Sequence, residues 1–200
     1  MCFHSQQTAD AQTLKNRFKA KLKSPDLMVQ SDNYNGFEHP KTPVITNEDP
    51  GIIQTFHWGL LPPWARDTTM QKNTLNARIE TIREKPAFQP VLHQKCLILL
   101  TGFYEWKHLD AKTKEKYVVG INDNEPFAVA GLWSRWRNPR TTELMETYTM
   151  ITTEARGIMR EIHNTKYRMP VILQKENEEA WLMGKSTAKL EWENIQGLKL

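Results

Sequence analysis

Two hundred residues, 39% hydrophobic and 10% aromatic with seven Trp, are enough chain to bury a core and too aromatic for a disordered segment. Lys and Arg total 27 against 23 Asp and Glu, a net charge of +4 that permits an anionic partner such as DNA without demanding one. No run approaches about 18 consecutive apolar residues, no basic-then-apolar leader opens the chain, and two cysteines cannot build a disulfide framework, so a membrane-spanning or secreted disulfide-stapled protein is excluded and a cytoplasmic one expected.

At about 150 residues per domain, one domain over 1–200 is expected. The first element is a helix. Asp10 is placed to cap it, Leu14, Phe18 and Leu22 recur on one face, and Pro25 stops it. Lys15, Lys19 and Lys23 form a basic stripe that reads more simply as a solvated face than as a DNA contact. Residues 31–50 are rich in turn formers and read as loop, with a short strand at 44–46. Strands follow at 52–58, 96–101, 117–121, 127–133, 147–152 and 171–173, rich in β-branched and aromatic residues between turn formers. Short helices are expected near 79–85, over 154–163 and over 176–183. The sum is an α+β fold: a largely antiparallel sheet curled into a barrel-like core, with a few flanking short helices. Strands and helices do not alternate regularly, which argues against a doubly wound sheet.

Four segments join polar residues to rigid apolar or glycine context: Met-Cys at the start, LNARIET (75–81), GFYEW (102–106) and IHNTKYRMPVIL (162–173). Cys2 follows Met1, and a small second residue usually lets the Met be removed. Cys2 would then carry an α-amine and a thiol on adjacent carbons, with ordinary pKa values of about 7.7–8.0 and about 8.5. Glu105, between two aromatics at the end of an apolar strand, is either a satisfied structural acceptor or a poised acid/base. His163 ends a helix, where the dipole alone would favour it. Asn76 and Arg78, two apart on an extended stretch, face the same side. Cys96 reads as a small buried residue. The six His and two Cys show no CxxC, HxxxH or HExxH spacing, and the lone Cys2-x-His4 pair is too weak to suggest a metal. Phosphate-binding glycine loops and a GxSxG elbow are absent.

In this order, the four segments resemble the SRAP (SOS response-associated peptidase) family of abasic-site processing proteins. The resemblance runs over nearly the whole chain and includes HWGLLPPW (57–64), AFQP (87–90), AGLW (130–133), ITTEA (151–155) and the helix carrying Trp181 and Leu182. It implies a curled sheet with a basic groove for single-stranded DNA, and a DNA-damage role in which Cys2 links covalently to the ring-opened aldehyde of an abasic site. Cys2, Asn76, Glu105 and His163 are the implied catalytic residues. Arg78, Trp106, Trp64, His4, Lys166 and Arg168 are the implied DNA contacts. The partner is single-stranded DNA containing abasic sites. No cofactor, metal or membrane is implied, and a monomer is expected. The peptidase in the family name refers to removal of the residue before Cys2, and a lyase activity accompanies it.

The chemistry of Cys2 suits that reading. A neutral α-amine adds to an aldehyde and loses water to give an imine, and a thiol on the next carbon closes a five-membered thiazolidine. His163 and Glu105 would move the protons, and Asn76 would orient the terminal residue or the sugar. Two departures stand out. The family start Met-Cys-Gly-Arg-Phe is here Met-Cys-Phe-His-Ser, so Phe3 and His4 replace a flexible Gly and a phosphate-binding Arg. The usual HxRMP is here HNTKYRMP, which would displace His163 or add Lys166 to the DNA surface. A non-catalytic DNA-binding module and a dedicated peptidase using Cys2 remain the alternatives.

Overall fold

The computed structural model describes residues 2–27, 29–121, 125–185 and 195–200. In chain order they form β1 (His4–Gln7), α1 (Ala11–Phe18), β2 (Lys21–Leu22), β3 (Ser31–Asn35), β4 (Lys41–Thr46), β5 (Ile52–Trp58), β6 (Asn76–Arg78), β7 (Lys95–Leu100), β8 (Gly102–His108), β9 (Lys114–Ile121), β10 (Phe127–Arg137), β11 (Leu144–Glu154), α2 (Ile158–Ile162), β12 (Arg168–Pro170), β13 (Ile172–Leu173), α3 (Lys175–Leu182) and β14 (Ile195–Lys199).

The expected barrel is present. Strands β11, β10, β7, β4 and β5 pair in succession, antiparallel, and β5 returns to β11 through a parallel pairing of Thr147 with His57 and Tyr148 with Trp58. A second, antiparallel sheet runs in the order β14-β9-β8-β1-β3. Side-chain alternation separates two cores. Cys96, Ile98 and Leu100 of β7 point into one, with Phe56, Trp58, Tyr148 and Met150, and the second sheet adds Phe103 and Val119. Leu97 and Leu99 point into the other, which α1 and α3 cover with Leu14, Trp181 and Leu182.

Several expected boundaries move. Asp10 does cap α1, its side chain accepting from the Thr13 N–H at 2.7 Å. The helix stops at Lys19, in the left-handed region at φ 51°, so Leu22 reaches the second core from β2 instead, which runs parallel to β5. Residues 31–35, expected as loop, are strand β3; SDNYN has turn-former composition, and pairing with β1 supplies the extended conformation. The helix expected near 79–85 is only a 3₁₀ turn, Ile82–Glu84, because Ile79 N–H still donates to Thr152 O and prolongs the β6–β11 pairing. The helix expected over 154–163 shortens to α2. Glu154 pairs with Arg168, and Gly157 at φ 50° turns the chain before the helix begins.

Among the described residues, no helix is long and apolar enough to cross a membrane, and no group of three or more His, Cys, Asp or Glu is set to hold a metal ion.

Candidate active site around Cys2

Cys2 leads into β1, which lies between β8 and β3, and it is fully buried. Its thiol donates to the His4 carbonyl at 3.3 Å. Burial, and then the charge of Glu105, push the thiol pKa well up. Relative to the ordinary thiol value, burial therefore favours the protonated form of Cys2 in the folded chain.

Asn76 arrives on β6, in register with Met150 of β11. Its Nδ2 donates to the Cys2 carbonyl at 2.8 Å. Its Oδ1 is buried and, among the described residues, accepts no hydrogen bond. A buried acceptor left in that state is costly, so it suits a site completed by a donor from elsewhere.

Glu105 lies in mid-strand on β8, paired with Tyr117, rather than at a strand end, and is 4% exposed. Burial raises its pKa to about 7. His163 closes α2 and is also buried. Its Nδ1 lies 2.7 Å from the Arg168 carbonyl O and 3.0 Å from the Arg168 N. Its Nε2 lies 3.9 Å from Glu105 Oε2, an ion-pair distance longer than a hydrogen bond. Burial lowers the His163 pKa, favouring the neutral ring. The three extra residues after His163 do not carry it away. Asn164 is pinned to the end of β8, accepting from His108 N–H at 3.0 Å and donating to His108 O at 2.7 Å. Cys2, Asn76, Glu105 and His163, spread over four segments, thus converge on the start of the chain.

The expected DNA contacts divide. Arg78 is exposed, and alternation puts it on the same side of β6 as Asn76. Trp106 is half-buried with its ring edge-on to His4 at 5.5 Å, and His4 Nδ1 lies 3.1 Å from Asn33 Oδ1. Trp64 is 54% exposed and Lys166 is exposed. Arg168 departs from expectation. It is buried, and its guanidinium is committed to both oxygens of Glu80 and to Thr152, so it acts as an internal strut rather than a DNA contact.

Glu80 is the residue the sequence reading left without a role. It lies inside LNARIET, two beyond Arg78, but its partner is 88 positions away and only the fold joins them.

The SRAP family profile, described as SOS response associated peptidase, matches residues 1–198. The abasic site processing proteins YoqW and YoaM of Bacillus subtilis are each 45% identical to the chain, over 145 and 146 residues. Each match takes in 72% of this chain and 63% of the relative, so the chain spans less than two thirds of these curated relatives. The abasic site processing protein HMCES of Xenopus tropicalis is 29% identical over 143 residues, 61% of this chain and 42% of its own. A crystal structure of a Bacteroides thetaiotaomicron protein superposes with a TM-score of 0.90 at 33% identity, covering 100% of this chain and 92% of the other.

Proposed function

The chain belongs to the SRAP family, and from that membership and the Cys2 constellation we propose that it processes abasic sites in single-stranded DNA by covalent attachment through Cys2. The observation that carries the reading is the 2.8 Å hydrogen bond from Asn76 Nδ2 to the Cys2 carbonyl, which fixes the one residue whose backbone nitrogen and side-chain sulfur can enter the same ring.

Hydrolysis of the Met1–Cys2 amide consumes one water and releases Met, leaving a free α-amine on Cys2. The amine lone pair adds to the C1′ aldehyde of the opened sugar. Loss of water gives an imine. The thiol then adds across C=N: a C–S bond forms, the π pair goes to nitrogen with a proton, and a thiazolidine closes. No electrons are gained or lost overall.

The surrounding residues suit these steps. Asn76 holds the Cys2 carbonyl, while its open Oδ1 can accept from the new amine or from a sugar hydroxyl. Glu105, with a pKa of about 7, gives and takes protons at neutral pH. Neutral His163 accepts a proton from the sugar or the amine. Burial raises the Cys2 thiol pKa, so ring closure calls for a base to take the thiol proton, a role open to Glu105 or to the imine nitrogen. Arg78 and Lys166 would contact phosphate, and Trp106, Trp64 and His4 would flank the strand.

The test is incubation with abasic single-stranded DNA followed by a denaturing gel. A heat-stable adduct is expected from the wild type and none from Cys2→Ala. A variant whose Met1 cannot be cleaved, verified by intact mass, is also expected to form none. A stable adduct from Cys2→Ala without reductant, or salt-sensitive binding with no adduct from the wild type, overturns the reading.

A further inference from the structure

The face of β6 and β11 turned away from Cys2 carries a second concavity. Asn76 bonds the Cys2 carbonyl and Met150, its partner in register, packs in the core that holds Cys2, whereas Ala77 and Ile151, one residue on, pack in the other. On that second side lies a half-open cavity of about 570 Å³. Its apolar lining comes from Ile79, Ile82, Ile151, Trp181 and Leu182. Its charged lining is Arg83, Lys95 and Lys185, joined by His93, and among the described residues no carboxylate lines it.

We propose that this cavity is a binding site for a small organic anion, an apolar body seated beside Trp181 with its carboxylate held by Lys95 and Arg83.

The Lys95 ammonium is the central observation. It sits 4.2 Å from the centroid of the Trp181 ring, and among the described residues no carboxylate pairs with it. Burial, and then the charge of Arg83, hold its pKa below the ordinary lysine value. A half-buried ammonium repelled by a neighbouring guanidinium is a charge awaiting an anion. Binding one would offset both the lost hydration and the repulsion.

The walls are built. Lys95 N–H donates to Asn47 Oδ1 at 3.0 Å, Asn47 Nδ2 donates to His93 O at 3.1 Å, and Trp181 Nε1 donates to Cys96 O at 3.0 Å. These bonds fix the ring and the root of the lysine relative to each other. Ligand pockets typically run from about 300 to 1,000 Å³, mostly apolar with a few convergent polar groups, and this cavity has that make-up. The site is independent of the Cys2 chemistry, from which β6 and β11 separate it.

The experiment titrates the full chain calorimetrically with three probes: 4-phenylbutyrate, its neutral counterpart 4-phenylbutan-1-ol, and inorganic phosphate. One saturable site for 4-phenylbutyrate is expected, with the alcohol and phosphate each weaker by roughly tenfold or more, the scale of a charge-assisted hydrogen bond. Lys95→Met is expected to weaken 4-phenylbutyrate by a similar factor and leave the alcohol unchanged. Arg83→Gln, at an exposed position that does not risk folding, should weaken the acid roughly threefold or more. Cys2→Ala should bind as the wild type does. Equal affinity for acid and alcohol, phosphate binding as tightly as the acid, indifference to both basic-residue variants, or no saturable binding overturns the proposal.

Discussion

Glu80 and Arg168 meet in two parallel contacts of 2.9 Å, and the backbone N and O of that same Arg168 face His163 Nδ1. The pair therefore stands behind the candidate acid/base. It ties the loop after β6 to β12, and through Thr152 to β11, so that the imidazole is held by backbone that cannot shift freely.

Glu80→Gln is expected to slow adduct formation without changing DNA affinity, and to move the pH profile by loosening His163. Burial alone would raise the Glu80 pKa, but the hydrogen bonds and charge of Arg168 outweigh it and the net shift is downward. Its stabilising contribution is therefore present above the ordinary carboxylate pKa and lost as pH falls through the lowered folded value. With the Glu80 side chain 44% exposed, the cost at neutral pH should be about 1–2 kcal/mol, below that of a fully buried pair, and should vanish in acid. Urea melts at two pH values and single-turnover crosslinking check this. A wild-type rate and profile would show that the strut does not position His163.

Trp58 and Trp64 lie six residues apart in one segment, yet their fates differ. Trp58 is fully buried, donates from Nε1 to Leu75 O at 2.8 Å and stacks on Tyr148. Trp64 is 54% exposed. Trp58→Ala should cost about 3–5 kcal/mol of stability. Trp64→Ala should change stability by less than about 0.5 kcal/mol, while lowering single-strand affinity by about 1–3 kcal/mol if it stacks on a base. Denaturant melts and a DNA titration at one salt concentration separate the two. Unchanged affinity in Trp64→Ala removes it from the DNA face.

Glu105 links the site to global stability. Its carboxyl is held at about 7 by burial, above the ordinary value of 4.5. For a raised folded pKa, the folded state binds the extra proton, so its contribution is full below 4.5 and is lost as pH rises towards about 7. Glu105→Gln keeps the shape and never ionises. It should match the wild type near pH 4.5 and be more stable by about 1–3 kcal/mol at pH 8. Chemical denaturation across that range tests it, and a gap that does not grow with pH would mean Glu105 is not held protonated.

The barrel strands could be read from sequence because their cues are local: β-branched and aromatic runs between turn formers located β5 and β7 to within one residue, and the apolar stretches of β10 and β11, whose polar ends at 134–137, 144–146 and 153–154 carry no such cue. The polar β3 could not, since its conformation comes from pairing with β1 rather than from its own residues. The same division holds at the site. Cys2, Asn76, Glu105 and His163 emerge from their motifs. The commitment of Arg168 to Glu80, and the placement of Lys95 against Trp181, depend on contacts between residues 88 and 86 positions apart by number, which no local pattern encodes.

His163 and Glu105 lie 3.9 Å apart in the fold, which makes them the candidate proton-handling pair, while His4 is their rival by sequence proximity to Cys2. The geometry favours the pair. Both are buried beside Cys2, whereas His4 faces Asn33 and the edge of Trp106 at the surface of β1. Single-turnover adduct formation and release over about pH 5 to 9 should fall roughly 10²–10⁴-fold in His163→Ala and Glu105→Gln, the scale of a true acid/base. DNA affinity should stay near wild type in both. The inflection near pH 7 in the wild-type profile should disappear in Glu105→Gln, because the group with a pKa of about 7 is gone. His4→Ala should keep the rate of the chemical step and lose only what His4 contributes to binding. A collapse of rate in His4→Ala, with the other two near wild type, would move the proton transfer to the surface of β1 and leave the buried pair a structural role.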